Sequence, residues 1–229
     1  MTGKALGLLI GSALGGGAWA VPQQPPAMTA PTTPAPLTFG EVVQPAFKET
    51  VLKVVRQPTI STKYTSDEVT CGREMYEWLL NHPDRVSLAW RRMKVGCVEI
   101  TDLGNGKFGW NDDQGSELVW QTVGTFPDGV VWYATGKVKP SPVTPSVPVK
   151  AVVVLAYPSK KEGKLAPVTQ VYLHTDSRAA TMITRMLGPT APKLAEQGAE
   201  QLLFFFNGIG RYVTANPEKA EGLLAPAKK

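Results

Sequence analysis

The chain has 229 residues and a formal net charge of +5, and 43% of its residues are hydrophobic. That length accommodates one sizeable domain with tails, and that hydrophobic content supports a packed core and argues against disorder. The basic residues are scattered, with Arg91-Arg92-Met93-Lys94 and Lys160-Lys161 the nearest things to a run, so no basic face interleaved with aromatics marks a nucleic-acid partner.

Lys4 is followed by the apolar stretch Ala5 to Ile10 and by small residues ending Ala18-Trp19-Ala20. A charged start, an apolar middle and an A-x-A end describe a secretory signal peptide over residues 1–20, and predict an exported protein, secreted or periplasmic. The segment is shorter than the roughly 20 apolar residues of a membrane anchor. Val21 to Pro36, VPQQPPAMTAPTTPAP, is dense in proline and poor in large apolar residues, so it reads as an extended linker. The folded domain is expected over residues 37–216 and a loose tail over residues 217–229.

Val51 to Val55 reads as a helix end or a strand, and Thr59 to Thr65 as a strand rich in β-branched residues. Met75, Trp78 and Leu79, then Val86, Leu88, Ala89, Trp90 and Met93, fit two helices joined by a turn at His82-Pro83, with Asp84 near the second start. From Cys97 the apolar period falls to two. Strands are predicted over 97–103, 107–110, 116–123, 130–138, 150–157 and 168–174, and Asn105-Gly106 supplies the left-handed turn of a hairpin. Pro140, Pro142, Pro145 and Pro148 make their connection irregular or place it at a sheet edge. A short helix is predicted from Asp176 or Ser177 to Leu187, and a long one from Thr190 to Tyr212 or beyond, with Pro192 in its first turn.

Gln201-Leu202-Leu203-Phe204-Phe205-Phe206 belongs to that long helix. At about 100° per residue, Leu194, Gly198, Leu202, Phe205, Ile209, Tyr212 and Val213 share one arc, widened by Ala195, Ala199 and Phe206. Lys193, Glu196, Gln197, Glu200, Asn207 and Arg211 gather opposite. Leu203 falls at the border and Phe204 on the polar side, so Phe204 is expected to be covered by another segment or to form a contact surface.

The expected fold class is α+β, an antiparallel sheet covered by a long C-terminal helix. The Trp78-Leu79-Leu80-Asn81-His82-Pro83-Asp84 segment after the first strand, and the passage Leu173 to Lys193 from the last strand toward the final helix, resemble the START-like (SRPBCC) helix-grip superfamily. The resemblance covers roughly Thr59 to Tyr212. It implies a curved sheet gripping the helix around an apolar cavity that takes lipids, sterols or other hydrophobic ligands; some members are cyclases or other enzymes. The signal peptide and linker depart from the common cytosolic members.

Chemistry-bearing patterns are sparse. His174, Asp176 and Ser177 come close together, but no Gly-x-Ser-x-Gly elbow accompanies them, and helix capping explains Asp176 or Ser177. Asn111 to Glu117 is rich in oxygens, yet its spacing is not that of a calcium loop, and it reads as a turn. Cys71 and Cys97 are too few for a zinc site; they form one disulfide or two buried thiols. No catalytic residue, metal or cofactor is assigned, and an enzyme of this fold ranks third among the readings. The candidate ligand-binding residues are Trp110, Trp120, Trp132, Tyr133 and Tyr172 on the strands and Leu202, Phe205 and Ile209 on the helix, with plain core packing as their alternative role. Arg178 and Arg185 would meet an acidic head group or solvent. The leading expectation is a binder of a hydrophobic small molecule, lipid foremost. The alternative is a non-enzymatic envelope interaction module with a packed interior, and contact with a membrane surface or envelope component stays open.

Overall fold

The computed structural model describes residues 39–112, 115–139, 146–176, 181 and 190–227. Residues 1–36, the short helix expected over 176–187 with Arg178 and Arg185, and Pro140, Pro142 and Pro145 lie largely or wholly outside that set. Two helices open the described chain, α1 (Phe39–Val42) and α2 (Pro45–Arg56). Proline in the first turn starts α2 without losing a needed N–H, and Val51 and Val54 are its buried residues. The ambiguous stretch at Val51 is therefore helical.

There follow β1 (Ile60–Thr65), the short β2 (Val69–Thr70), α3 (Arg73–Asn81) and α4 (Pro83–Arg92). The strands are then β3 (Ile100–Gly104), β4 (Lys107–Asn111), β5 (Glu117–Phe126), β6 (Gly129–Val138), β7 (Val147–Ala156), β8 (Lys164–Leu165) and β9 (Val168–His174). The chain ends with α5 (Ala191–Ala215) and α6 (Pro217–Leu224). Seven strands form one sheet in the order β1-β9-β7-β6-β5-β4-β3, antiparallel at every junction, and β2 pairs with β8. The arrangement is a helix grip, in which α5 packs against β1 and β9 on one face of the seven-stranded sheet and against β2, α3 and α4.

The sheet is bent by identifiable devices. A register shift between Thr122 and Gly124 inserts a bulge in β5, which raises local twist. At Gly136 a Cβ would lie 1.9 Å from the Glu117 carbonyl oxygen, so only glycine allows β5 and β6 to close on each other there. β7 begins earlier than predicted and includes Pro148. That proline sits beyond the last rung shared with β9, Lys150↔His174, where a missing N–H breaks no ladder to that neighbour. β3 starts three residues later than predicted, at Ile100.

The core lies between the sheet and the helices. Trp132, Leu155, Tyr76, Leu79, Leu80, Val86, Leu203, Phe206 and Ile209 are all buried in one cluster. The buried stripe of α5 runs through Ala199, Leu203, Phe206, Ile209 and Val213. It is rotated by roughly a quarter turn from the predicted arc. Leu202 and Phe205 are only partly buried at its flank, whereas Leu203, expected at the border, is fully buried. The reason is that α5 is gripped from two sides. The sheet takes one, and α3 with α4 take the other. At Gly208 a Cβ would stand 2.5 Å from the Trp90 ring, so its absence seats that indole on the helix, where Trp90 Nε1–H donates to the Phe205 carbonyl at 2.9 Å.

Asn207 was expected on the polar side and is buried instead. The Tyr76 hydroxyl donates to Asn207 Oδ1 at 2.7 Å, and Asn207 Nδ2 donates to Ser66 Oγ at 3.0 Å. A buried polar group is stable only with such partners. Phe204 is 62% exposed, and one face stacks on Trp90 with centroids 5.5 Å apart. Part of its apolar surface is thus covered by α4.

The tail expected to be loose from Pro217 is the helix α6 as far as Leu224. Arg92 Nη1 donates to the carbonyls of Gly222, Leu223 and Ala225, and Nη2 to that of Pro226. A cation at a helix C-terminus satisfies free carbonyls and opposes the dipole, and Ala220, Leu223 and Leu224 pack onto the core.

Candidate functional site: the concave face of the sheet

Strand alternation sorts the predicted site residues into three groups. Trp132 pairs with Val153 and Thr122, and Val130 with Leu155, so the even positions of β6 face the helices along with Val153 and Leu155. Register carries that face across the sheet through Ala134↔Trp120 and Trp120↔Phe108, and through Gly136↔Leu118 and Leu118↔Trp110. Tyr133 and Tyr172 point the other way, a correction to their expected place beside α5. Tyr133 meets Phe47 of α2 at 6.0 Å and Tyr172 meets Phe39 of α1 at 6.3 Å, centroid to centroid. Burial pushes both phenols up from their ordinary pKa. They anchor the N-terminal helices on the convex side.

Trp132 and Ile209 do face each other's layer, but they are sealed in the core at 5% and 0% exposure. Trp132 lies 5.7 Å from Phe206. They fill space and line none. Trp120, Leu202 and Phe205 are half-buried at the edge of this cluster, and Trp110 is half-buried on β4. Phe108, which the sequence reading passed over, stands 5.9 Å from Trp120 on the same face.

A second apolar cluster occupies the far end of this face: Val147 and Val149, with Leu118 and Val138 against them. It is separate from the main core. Between the two clusters the strands present small residues, Ala134 paired with Ala151, and Gly136 paired with Val149. The concave face therefore has a filled end at Trp132 and, beyond it, the small residues Ala134, Gly136 and Ala151, of which the two alanines are themselves buried at 9% and 7% exposure. Half-buried Trp110, Leu118 and Trp120 stand on its β4–β5 side. Large rings around a floor of small side chains are the shape an apolar ligand needs. Period-two placement of Ala134, Gly136 and Ala151 opposite Trp120 and Leu118 was the available signal. It needs the strand register, which sequence does not supply.

A mixed pocket of about 420 Å³ lies at one end of β4, lined by Gln44, Phe47, Asn81, Asn105, Gly106, Lys107, Phe108, Gln121 and Thr122. It forms where β4 stops at Lys107↔Gln121 while β5 continues to Phe126. The bridge Val43↔Gly124 brings the α1–α2 link to its rim. A smaller one, about 180 Å³, lies beside α5 between Tyr64, Ser66, Asp67, Glu200, Leu203, Phe204, Asn207 and Arg211. Tyr64 donates to Glu200 Oε1 across it at 3.2 Å.

Both histidines are held by backbone. His82 stacks on Trp78 at 4.2 Å, with Nδ1 2.8 Å from the Trp78 carbonyl oxygen. His174 Nδ1 lies 2.7 Å from the Gln57 carbonyl oxygen. A carbonyl accepts, so in each ring Nδ1–H donates. Ser177, the third member of the trio, lies outside the described residues. Cys71 and Cys97 are free thiols. Burial pushes both thiols up, which suppresses the reactive thiolate. Asp112 Oδ1 accepts from the Ser116 N–H at 2.7 Å, so Asp112 serves its own turn, and Asp113 and Gln114 lie outside the described residues. Among the described residues no helix is long and apolar enough to cross a membrane.

No protein-family model and no curated protein matches the sequence. Among solved structures, the chain is similar to a conserved protein from Geobacillus kaustophilus, at 15% identity and a TM-score of 0.47 over 67% of this chain and 97% of that one. It is similar to Ara h 8.0201 at 12% identity and a TM-score of 0.45, covering 68% and 99% of the two chains. A truncated norcoclaurine synthase from Thalictrum flavum aligns at 10% identity and a TM-score of 0.36, covering 61% and 91%.

Proposed function

We propose that the protein is an exported, non-catalytic binder of a hydrophobic small molecule, lipid foremost, held at the β4–β5 side of the concave face. One observation carries the reading. Trp132 is sealed against Phe206, while Trp110, Leu118 and Trp120 on the same face are left half-buried around a floor of Ala134, Gly136 and Ala151. Partly exposed indoles on a concave face are stabilised by an apolar occupant that removes their remaining surface from water, at roughly 25 cal/mol per Å². The tethering of both histidines to carbonyls supports a binding role over acid–base chemistry. Export rests on the Lys4 to Ala20 pattern.

Purification without detergent, followed by organic extraction and mass spectrometry, tests the reading. A stoichiometric apolar molecule that is missing from a Trp110→Ala/Trp120→Ala variant is the expected result. An empty wild-type protein that also fails to bind added alkyl chains would overturn it.

A second reading, an envelope interaction module, draws support from Phe204, which leaves most of its ring in water. Under that reading Phe204→Glu abolishes capture of a specific envelope protein and leaves ligand binding intact.

A further inference from the structure

The pocket at the end of β4 has an unusual lining. Four carboxamides, Gln44, Asn81, Asn105 and Gln121, converge with the Thr122 hydroxyl, and Lys107 is the one charged residue among the lining side chains. They come from the α1–α2 link, the end of α3, the β3–β4 turn and β5. Among the described residues, none of these polar side chains hydrogen-bonds another protein group, so their donors and acceptors face the pocket or solvent. Two rings, Phe47 and Phe108, complete the wall. Each is braced from behind, Phe47 by Tyr133 and Phe108 by Trp120.

The pocket wraps around the end of the sheet: Gln121 and Phe47 lie on the side of Tyr133, and Phe108 lies on the concave side with Trp120. Phe108 lines the pocket and packs on Trp120, whose indole borders the apolar floor. A molecule lying on Trp120 and Trp110 therefore has a polar recess next to one end. The chemistry of that recess is specific. A phosphate or carboxylate head group is normally met by an arginine fork or a nest of backbone N–H groups, and one lysine at the start of β4 is neither. Carboxamides donate and accept at once, as does a threonine hydroxyl. Their complement is a set of hydroxyl groups, which also donate and accept. Flat aromatic walls suit the carbon face of a sugar ring.

We infer that the ligand is an amphiphile with a neutral, hydroxyl-rich head group of the glycosyl or glycerol kind, its chain on Trp110 and Trp120 and its head in the Gln44–Asn81–Gln121 pocket. This rests on the apolar site proposed above and adds the head-group class. A site that hydrogen-bonds hydroxyls rejects analogues lacking them more sharply than an apolar pocket rejects a change of length.

The test is a tryptophan-fluorescence titration of the full chain with four probes below their micelle concentrations: dodecyl maltoside, monolaurin, dodecylphosphocholine and dodecanoate. The expected result is that at least one of the two hydroxyl-bearing probes binds about tenfold or more tightly than the other two, as two to three extra hydrogen bonds would give. Maltoside ahead of monolaurin assigns the head to sugars, and the reverse to glycerol. The Asn81→Ala/Gln121→Ala variant should lose that preference, and an unchanged chemical-denaturation midpoint shows that it is folded. Equal binding of all four probes, or a preference the double variant keeps, would overturn the head-group inference and leave the apolar site standing. Binding of no probe at all would overturn both.

Discussion

The two halves of the concave face share one sheet and opposite fates. At the β6–β7 end Trp132, Val130 and Leu155 are sealed under Leu203, Phe206 and Ile209 of α5. At the β4–β5 end Phe108, Trp110, Leu118 and Trp120 have similar apolar character and stay half-buried. The difference lies in what covers them. α5 packs on β1, β2 and β9 and is held there by α3 and α4, so its buried stripe meets Trp132 and leaves Trp110 and Leu118 outside the main core cluster. The residues alone therefore do not distinguish a core tryptophan from a partly exposed one. The position of a helix far along the chain does.

The sharpest way to break this comparison is to truncate the rings of each half in turn. Trp132→Ala and Phe206→Ala should each lower unfolding free energy by about 3–5 kcal/mol, because each opens a cavity in a closed core. Trp110→Ala should change it by less than about 1 kcal/mol. Chemical denaturation measures both, and comparable losses at the two ends would mean that no open half exists.

The closed half is also pinned by polar contacts, which suggests the next test. Asn207→Leu leaves the buried Tyr76 hydroxyl unpaired and should cost about 1–3 kcal/mol. Adding Tyr76→Phe should recover part of that loss, since the orphaned donor is gone. A full additive loss in the double variant would argue against the hydrogen bond. Smaller still, Arg92→Ala should release α6 from its carbonyl clamp, at about 1 kcal/mol. Amide exchange over Pro217–Leu224 would then quicken while β6 and β7 stay protected.

The gentlest probe is alkaline titration. Burial pushes the Tyr157 phenol from 10.0 up to about 12, helped by the neighbouring Glu77 carboxylate. The folded state then holds its proton where the unfolded chain has lost it. The contribution is complete below pH 10 and declines as pH rises from 10 to about 12. A Tyr157→Phe variant should show a flatter stability profile over that window, and an unchanged profile would dissociate Tyr157 from the loss.

Much of the architecture was legible because period and punctuation are local. The hairpin at Asn105-Gly106, the strand over 168–174 and the long helix ending before Asn216 all rest on neighbours within a few residues. What failed depended on distant partners. Tyr133 and Tyr172 went to the wrong face because the parity of a strand fixes alternation and leaves open which side meets the helix. The stripe on α5 was misplaced because Asn207 is satisfied by Tyr76 and Ser66, more than a hundred residues away. α6 read as a loose tail because its anchor, Arg92, belongs to α4. The site was legible only in part, since Trp110 and Trp120 stood out as aromatics while Phe108, Ala134 and Ala151 acquire meaning from register.

The central claim is that the part of the concave face bordered by Trp110, Leu118 and Trp120 takes a ligand and the closed end at Trp132 does not. The tryptophan indoles give it a direct readout, through their side-chain N–H signals in a ¹⁵N-correlated NMR titration with submicellar dodecyl maltoside, monolaurin or, if neither binds, dodecanoate. The account predicts saturable shifts at Trp110 and Trp120, with Trp132 moving little and Trp90 held by its bond to the Phe205 carbonyl. Shifts centred on Trp132, or none at Trp110 and Trp120 with any of the three, would contradict it.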